Sequence, residues 1–170
     1  NSSAQTTVTI GTGTSTNGNN AYPCPYGNFF WGAKHDILIL ASELTNLGVA
    51  PGDITAIAFN VVAMNFPTTL LNFSIGMKAT SQTTASAAFA NGLTTVLPSG
   101  TYPVSIGWNT HTLTTPFFWD GTSNLIIQTC FNNTGFINSN PAMTYTTTSF
   151  QSVSSFRQDN STTVCNALTG

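Results

Sequence analysis

"LNFSIGMK", residues 71–78, alternates apolar and polar side chains along its length. Successive side chains of a strand point to opposite faces, so a period of two marks a half-buried strand. Leu71, Phe73, Ile75 and Met77 are expected to face a core, with Asn72, Ser74 and Lys78 facing out. The same pattern recurs outward from this stretch. Residues 54–64, "ITAIAFNVVAM", set Ile57, Phe59, Val61 and Ala63 on one side, and "TTVTI" pairs Val8 with Ile10. "WNTHTLTTPF", "NLIIQTCF" and "MTYTTTSF" give further strands, and "SVSSFRQ" a less regular one. Leu125, Ile126 and Ile127 are apolar on both faces, which predicts a central strand. Turn signals at Pro51-Gly52, Asn91-Gly92, Pro98-Ser99-Gly100, Asp120-Gly121 and Asn140-Pro141 separate these runs. Helix is expected only in "SELTNLG", opened by Ser42 and closed by Gly48, and in "TASAAFANG". Roughly eight to ten strands in one domain require two packed sheets. The expected fold is all-β: a single-domain antiparallel β-sandwich of jelly-roll type with one or two short helical turns.

Composition narrows the function classes. Apolar residues make up 41% of the 170, ordinary for a globular domain, but charged residues only 5%, against about 25% in typical soluble domains. Thr, Ser, Asn and Gly replace them, so the surface must be rich in hydroxyls and amides. A net charge of −2 gives copies little reason to repel one another and offers no basic field for nucleic acid or anionic lipid. No nucleic-acid partner is expected, and no membrane span, because the longest apolar run, within "DILILA", is five residues. Opening on Asn1 without an initiator Met, the chain is expected to have lost a signal peptide, which points to an extracellular or cell-surface location. Residues 1–20 divide off as an N-terminal strand and flexible linker, with "GTGTSTNGNN" as the linker, and residues 21–170 as the sandwich domain. At about 3.3 Å per residue, residues 11–20 could span roughly 33 Å and carry the preceding strand away from its own domain.

Few residues are available for chemistry. Lys34, His35, Asp36 and Glu43 cluster in "GAKHDILILASEL", residues 32–44. Adjacent strand residues point to opposite faces, so His35 and Asp36 cannot aim at one substrate, and no nucleophile motif or second carboxylate pair accompanies them. These residues are expected to flank an apolar strand and keep its ends in water. His111, between threonines, is expected to be a sheet-face residue satisfied by its neighbours. "DGTSN" after Trp119 is expected to be a plain turn, since calcium loops gather several carboxylates. No catalytic residue, metal site or cofactor is expected. Phe117, Phe118 and Trp119 cannot all face inward from one strand, so at least one ring is expected outward or at a sheet edge. The three are a candidate aromatic binding surface, the alternative being that Phe118 covers the end of the sandwich. Four N-x-S/T sequons, at Asn1, Asn72, Asn132 and Asn160, are candidate glycosylation acceptors. Of Cys24, Cys130 and Cys165, one pair would form in an oxidising compartment. Spacing does not decide which. Cys130–Cys165 is favoured because it closes the C-terminal segment onto a predicted core strand, leaving Cys24 free or open to an intermolecular bond.

The stretches "IGTGTSTN", "YPCPYGNFFWGAKH", "ASELTNLGVAPGDITAIAFNV", "LNFSIGMKAT" and "GWNTHTLTTPFFWDGTSNLIIQTCFNN" occur in this order over about residues 8–165. Together they resemble an uncharacterised secreted or cell-surface β-sandwich module of Bacteroidota, often found in multidomain adhesin-like proteins. The resemblance implies no catalytic residues. It implies a disulfide at "QTCFNN" and "TVC", in support of Cys130–Cys165. Relatives tend to be parts of long chains, whereas this one ends five residues after Cys165, so a role other than spacer is expected.

The expected function is an extracellular structural protein, a self-assembling subunit of a filament or surface layer whose partners are copies of itself. Thr6, Thr7, Val8, Thr9 and Ile10 are the candidate assembly strand, added to a sheet edge of the next copy. The alternative is a glycan-binding or adhesive cell-surface module using the Phe117–Trp119 rings.

Overall fold

The computed structural model describes residues 5–170. Nine strands carry the fold: β1 (Ser15–Thr16), β2 (Gly32–Ile39), β3 (Gly52–Ala63), β4 (Thr69–Thr80), β5 (Thr94–Pro103), β6 (Gly107–Trp119), β7 (Asn124–Asn132), β8 (Ala142–Tyr145) and β9 (Val153–Gln158). Among the described residues helix is limited to α1 (Ala41–Thr45) and a 3-10 turn at Val164–Asn166. The strands form two antiparallel sheets packed as a β-sandwich, ordered β1-β8-β3-β6 and β5-β4-β7-β2-β9. β7, apolar on both faces, is the middle strand of the larger sheet. Among the described residues no helix is long and apolar enough to cross a membrane.

The core lies between the sheets. Val61, Leu113 and Met143 come from one, Phe73, Ile75, Met77 and Phe131 from the other, and Tyr26 enters from the loop before β2. Each such large side chain contributes roughly 1.5–3 kcal/mol relative to exposure. In β4, Leu71 is half-exposed and Leu70 takes the inward place instead. Asn72 adopts φ 57°, and the register against β5 slips between Leu70 and Phe73. The left-handed residue inserts a bulge that resets the alternation, so Leu70, Phe73, Ile75 and Met77 line the core. Ala63 is likewise exposed, because β3 slips against β8 between Val61 and Ala63.

Several local expectations are corrected. Residues 6–10 belong to no strand, whereas Ser15 and Thr16, expected in the flexible linker, pair with Tyr145 and Thr144 of β8. Asn17 locks that pairing, its Oδ1 accepting Met143 N–H at 2.7 Å. "TASAAFANG" is not helical: Ala88 bridges Thr169 of the C-terminal tail, and Phe89 is buried below the Lys34 amine. Pro98-Ser99-Gly100 is no turn but runs within β5, an edge strand where proline is tolerated. α1 is capped at Leu40, whose N–H donates to Glu43 Oε2 at 2.8 Å, and Ser42 lies inside the helix. Cys130 and Cys165 form a disulfide with Cα atoms 5.6 Å apart.

Candidate functional site

β2 is an interior strand of the larger sheet, between β7 and β9, which decides the fate of its ionisable residues. Lys34 and Asp36 share one face and His35 takes the other. All three are buried, which overturns the expectation that they sit in water at strand ends. Lys34 Nζ donates to the carbonyls of Cys165 at 3.0 Å and Ala167 at 2.9 Å and lies 4.8 Å from the Phe89 ring centroid. Asp36 accepts Ala90 N–H at 2.6 Å and Gln128 Nε2–H at 2.7 Å. The pair therefore pins the C-terminal tail and the 89–90 loop onto the sheet. Burial lowers the Lys34 pKa against the pull of Asp36, and burial raises that of Asp36 against its hydrogen bonds. Glu43 is spent on the α1 cap.

His35 is fully enclosed. Its Nε2 accepts the Cys24 N–H at 3.1 Å, so the proton sits on Nδ1, and its ring stacks on Tyr22 with centroids 6.1 Å apart. Burial, aided by the Arg157 charge, pushes its pKa down to about 3. His111 is buried among Tyr26, Phe59, Phe73 and Tyr102, with Nε2 2.6 Å from Tyr26 Oη, and burial lowers its pKa to about 4. Both histidines are neutral core residues at pH 7. Cys24 is free but buried, its thiol pushed up to about 12 by desolvation. A thiol held protonated and out of solvent is unsuited to an intermolecular disulfide.

In "DGTSN" the Asp120 carboxylate accepts the N–H groups of Thr122 at 2.8 Å and Ser123 at 2.7 Å and the Ser123 hydroxyl at 2.6 Å. These bonds hold its pKa well below the usual range. The loop is an Asx turn closed on itself. Among the described residues no three His, Cys, Asp or Glu side chains gather in a way that could hold a metal.

The structure separates the three aromatics of β6. Trp119 is 1% exposed, with Nε1 donating to Ser123 O at 2.8 Å; Phe117 is half-buried against the core; Phe118 alone stands out, 65% exposed. The candidate surface of Phe117, Phe118 and Trp119 thus shrinks to one ring. A second ring on the same strand, Trp108, is also exposed, and nothing local in "WNTHTLTT" marks it as outward-facing. Even-numbered residues of β6 face outward throughout, so Trp108, Thr110, Thr112 and Phe118 share the outer face with Ala56, Ala58, Asn60 and Val62 of β3. Asp53 is the sole charge on that pair of strands, and Trp108 lies directly opposite Asn60 across them, a register that the alternation of either strand alone does not show.

Of the sequons, Asn1 lies outside the described residues. Asn72 and Asn160 are exposed, while Asn132 is half-buried, its Oδ1 accepting Val164 N–H at 3.0 Å and its Nδ2 facing Cys165 Sγ at 3.1 Å. A glycan on Asn132 would have to break that clasp.

The candidate assembly strand is Thr6–Ile10. Val8 is half-buried and the rest exposed, Ile10 to 38%. Gln5 Nε2 donates to Thr55 Oγ1 of β3, and Gly13 N–H donates to Thr146 Oγ1 at 2.7 Å. A Cβ at Gly13 would overlap the Tyr145 carbonyl, so only glycine permits this approach. The segment therefore lies along the smaller sheet without joining its ladder. No protein-family model, curated protein or solved structure matches this chain.

Proposed function

We propose that the protein is a non-catalytic extracellular structural subunit that assembles with copies of itself into a filament or surface layer, using residues 6–10 as a strand exchanged between neighbours. The observation that carries this reading is the outer face of β3 and β6. Trp108 is 56%, Val62 44% and Phe118 65% exposed, between threonines and alanines, with Asp53 as its one charge. Self-repulsion is weak on such a surface, and exposed rings gain by being covered. The strand-exchange version draws support from a segment with strand chemistry that forms no strand in its own sandwich. A head-to-tail contact of this kind does not close and so propagates. The disulfide supports a non-reducing, extracellular location, as does the motif resemblance to the Bacteroidota module. The nested pairs β2·β9, β3·β8 and β4·β7 support a jelly-roll winding. Ionisable side chains in β2 are already taken up in pinning loop and tail, which supports a role without catalysis.

Light scattering of the full chain across a concentration series tests this. Assembly should appear with rising concentration and be lost when residues 1–12 are deleted, leaving a folded monomer. A deletion variant that still assembles would leave the face contact and remove strand exchange.

A second reading, a glycan-binding module, draws on the same face. Phe118 and Trp108 are two exposed rings flanking the Thr110 and Thr112 hydroxyls, roughly 30 Å apart along the strand. They suit separate units of an extended polysaccharide, and saturable binding on a glycan array lost in Phe118→Ala and Trp108→Ala would establish it.

A further inference from the structure

β3 is flanked unequally. On one side β6 pairs with it from Gly52 to Val61, with one slip between Ile54 and Ala56. On the other, β8 reaches only Val61 and Ala63. From Gly52 to Asn60 no strand among the described residues pairs with that second side. Burial follows the gap. Val61, where β8 flanks it, is fully buried, whereas Ile54, Ile57 and Phe59 are only half-buried although they face the core. The notch therefore offers both unpaired main-chain groups and a strip of apolar surface.

Other edges carry the usual guards. β1 is only two residues long, β5 contains Pro98 and Pro103, β6 contains Pro116, and β9 contains Arg157. The Gly52–Asn60 stretch has no proline or basic residue, and its one charge, Asp53, sits at the mouth.

We infer that this open edge of β3, between Ile54 and Asn60, is the acceptor for residues 6–10 of a second copy. The inference rests on the assembly reading above and names its socket. The chain's own segment already lies at the notch, through Gln5 and Thr55, yet forms no ladder there. Its direction disfavours one. β1 is antiparallel to β8 and β8 to β3, so a segment leading into β1 runs parallel to β3. Parallel pairing is slightly the weaker arrangement. A segment arriving from a neighbour is free to enter antiparallel. Val8 and Ile10 then cover Ile57 and Phe59, and the main chain completes the sheet. Residues 11–14 span about 13 Å, which keeps donor and acceptor subunits in contact. No charge lies between residues 5 and 33, so the donor brings nothing that must be neutralised.

The test is a staple. In the full-length double variant Gln5→Cys/Thr55→Cys, oxidation ties the segment to its own β3, and buried Cys24 does not compete. Sedimentation velocity should then show monomer at concentrations at least tenfold above those at which wild type assembles. Reduction should restore assembly, with wild type in the same reductant as control. Independently, hydrogen exchange of the Ile54–Asn60 amides should slow at least tenfold between dilute and assembled wild type. A stapled protein that assembles like wild type, or edge amides that gain no protection on assembly, overturns the inference while leaving assembly intact. A wild type that stays monomeric throughout overturns the assembly reading, and this one with it.

Discussion

Lowering the pH from 7.5 to 5 should destabilise the fold through His35. The residue is fully buried, its Nε2 accepts the Cys24 N–H, and its folded pKa is about 3 against an ordinary 6.5. A depressed folded pKa means that the unfolded chain binds the proton more readily. Stability from this group is therefore fully present above pH 6.5 and lost progressively as pH falls toward 3. At pH 5 the unfolded imidazole is almost wholly protonated while the folded one is neutral, which costs about 2 kcal/mol. His111 acts in the same direction, since its pKa is also lowered by burial. Asp36 acts oppositely: its raised folded pKa makes the folded state gain stability as pH falls through it. Urea unfolding of dilute protein at both pH values, followed by tryptophan fluorescence to which buried Trp119 contributes, measures the sum. Comparison with His35→Gln isolates the one group, because glutamine can still accept the Cys24 N–H without titrating. Wild type should lose about 2 kcal/mol more than the variant between the two pH values. A difference below about 0.5 kcal/mol would refute the assignment of His35 as a neutral, enclosed acceptor.

Three further outcomes are expected. Cys130→Ala/Cys165→Ala opens a loop of 35 residues' separation and should cost about 4 kcal/mol, read from the urea midpoint. Trp119→Ala should cost about 3–5 kcal/mol as a core deletion, whereas Phe118→Ala should change stability by less than about 0.5 kcal/mol, both by thermal unfolding. Lys34→Met removes the donor to the Cys165 and Ala167 carbonyls and should cost about 1–3 kcal/mol. Hydrogen exchange should then show faster opening at the Phe89 and Gly170 amides that bond across the tail.

The strands with strong local alternation were legible because period two is a local property. β6, β7 and the second half of β4 appear where the pattern places them. What escaped were features decided by distant partners. The bulge at Asn72 depends on how β5 meets β4, and nothing in "LLNFS", residues 70–74, distinguishes Leu70 from Leu71 as the core residue. "TTVTI" has strand chemistry but no strand beside it, while Ser15 and Thr16 have little and are drafted by β8. The same logic governs the candidate site. Lys34 and Asp36 read as surface charges until the C-terminal tail folds over them, and Trp119 reads as a surface ring until the Ser123 carbonyl captures it. Spacing alone does not decide Cys130–Cys165; the packing of the Val164 turn against β2 and β7 brings the two cysteines together.

Negative-stain microscopy of the concentrated, full-length protein puts the assembly claim to its most direct trial. Ordered fibres or sheets with a repeat of one sandwich are the predicted image. A uniform field of isolated particles, unchanged at the highest concentration with residues 5–10 intact, would contradict it.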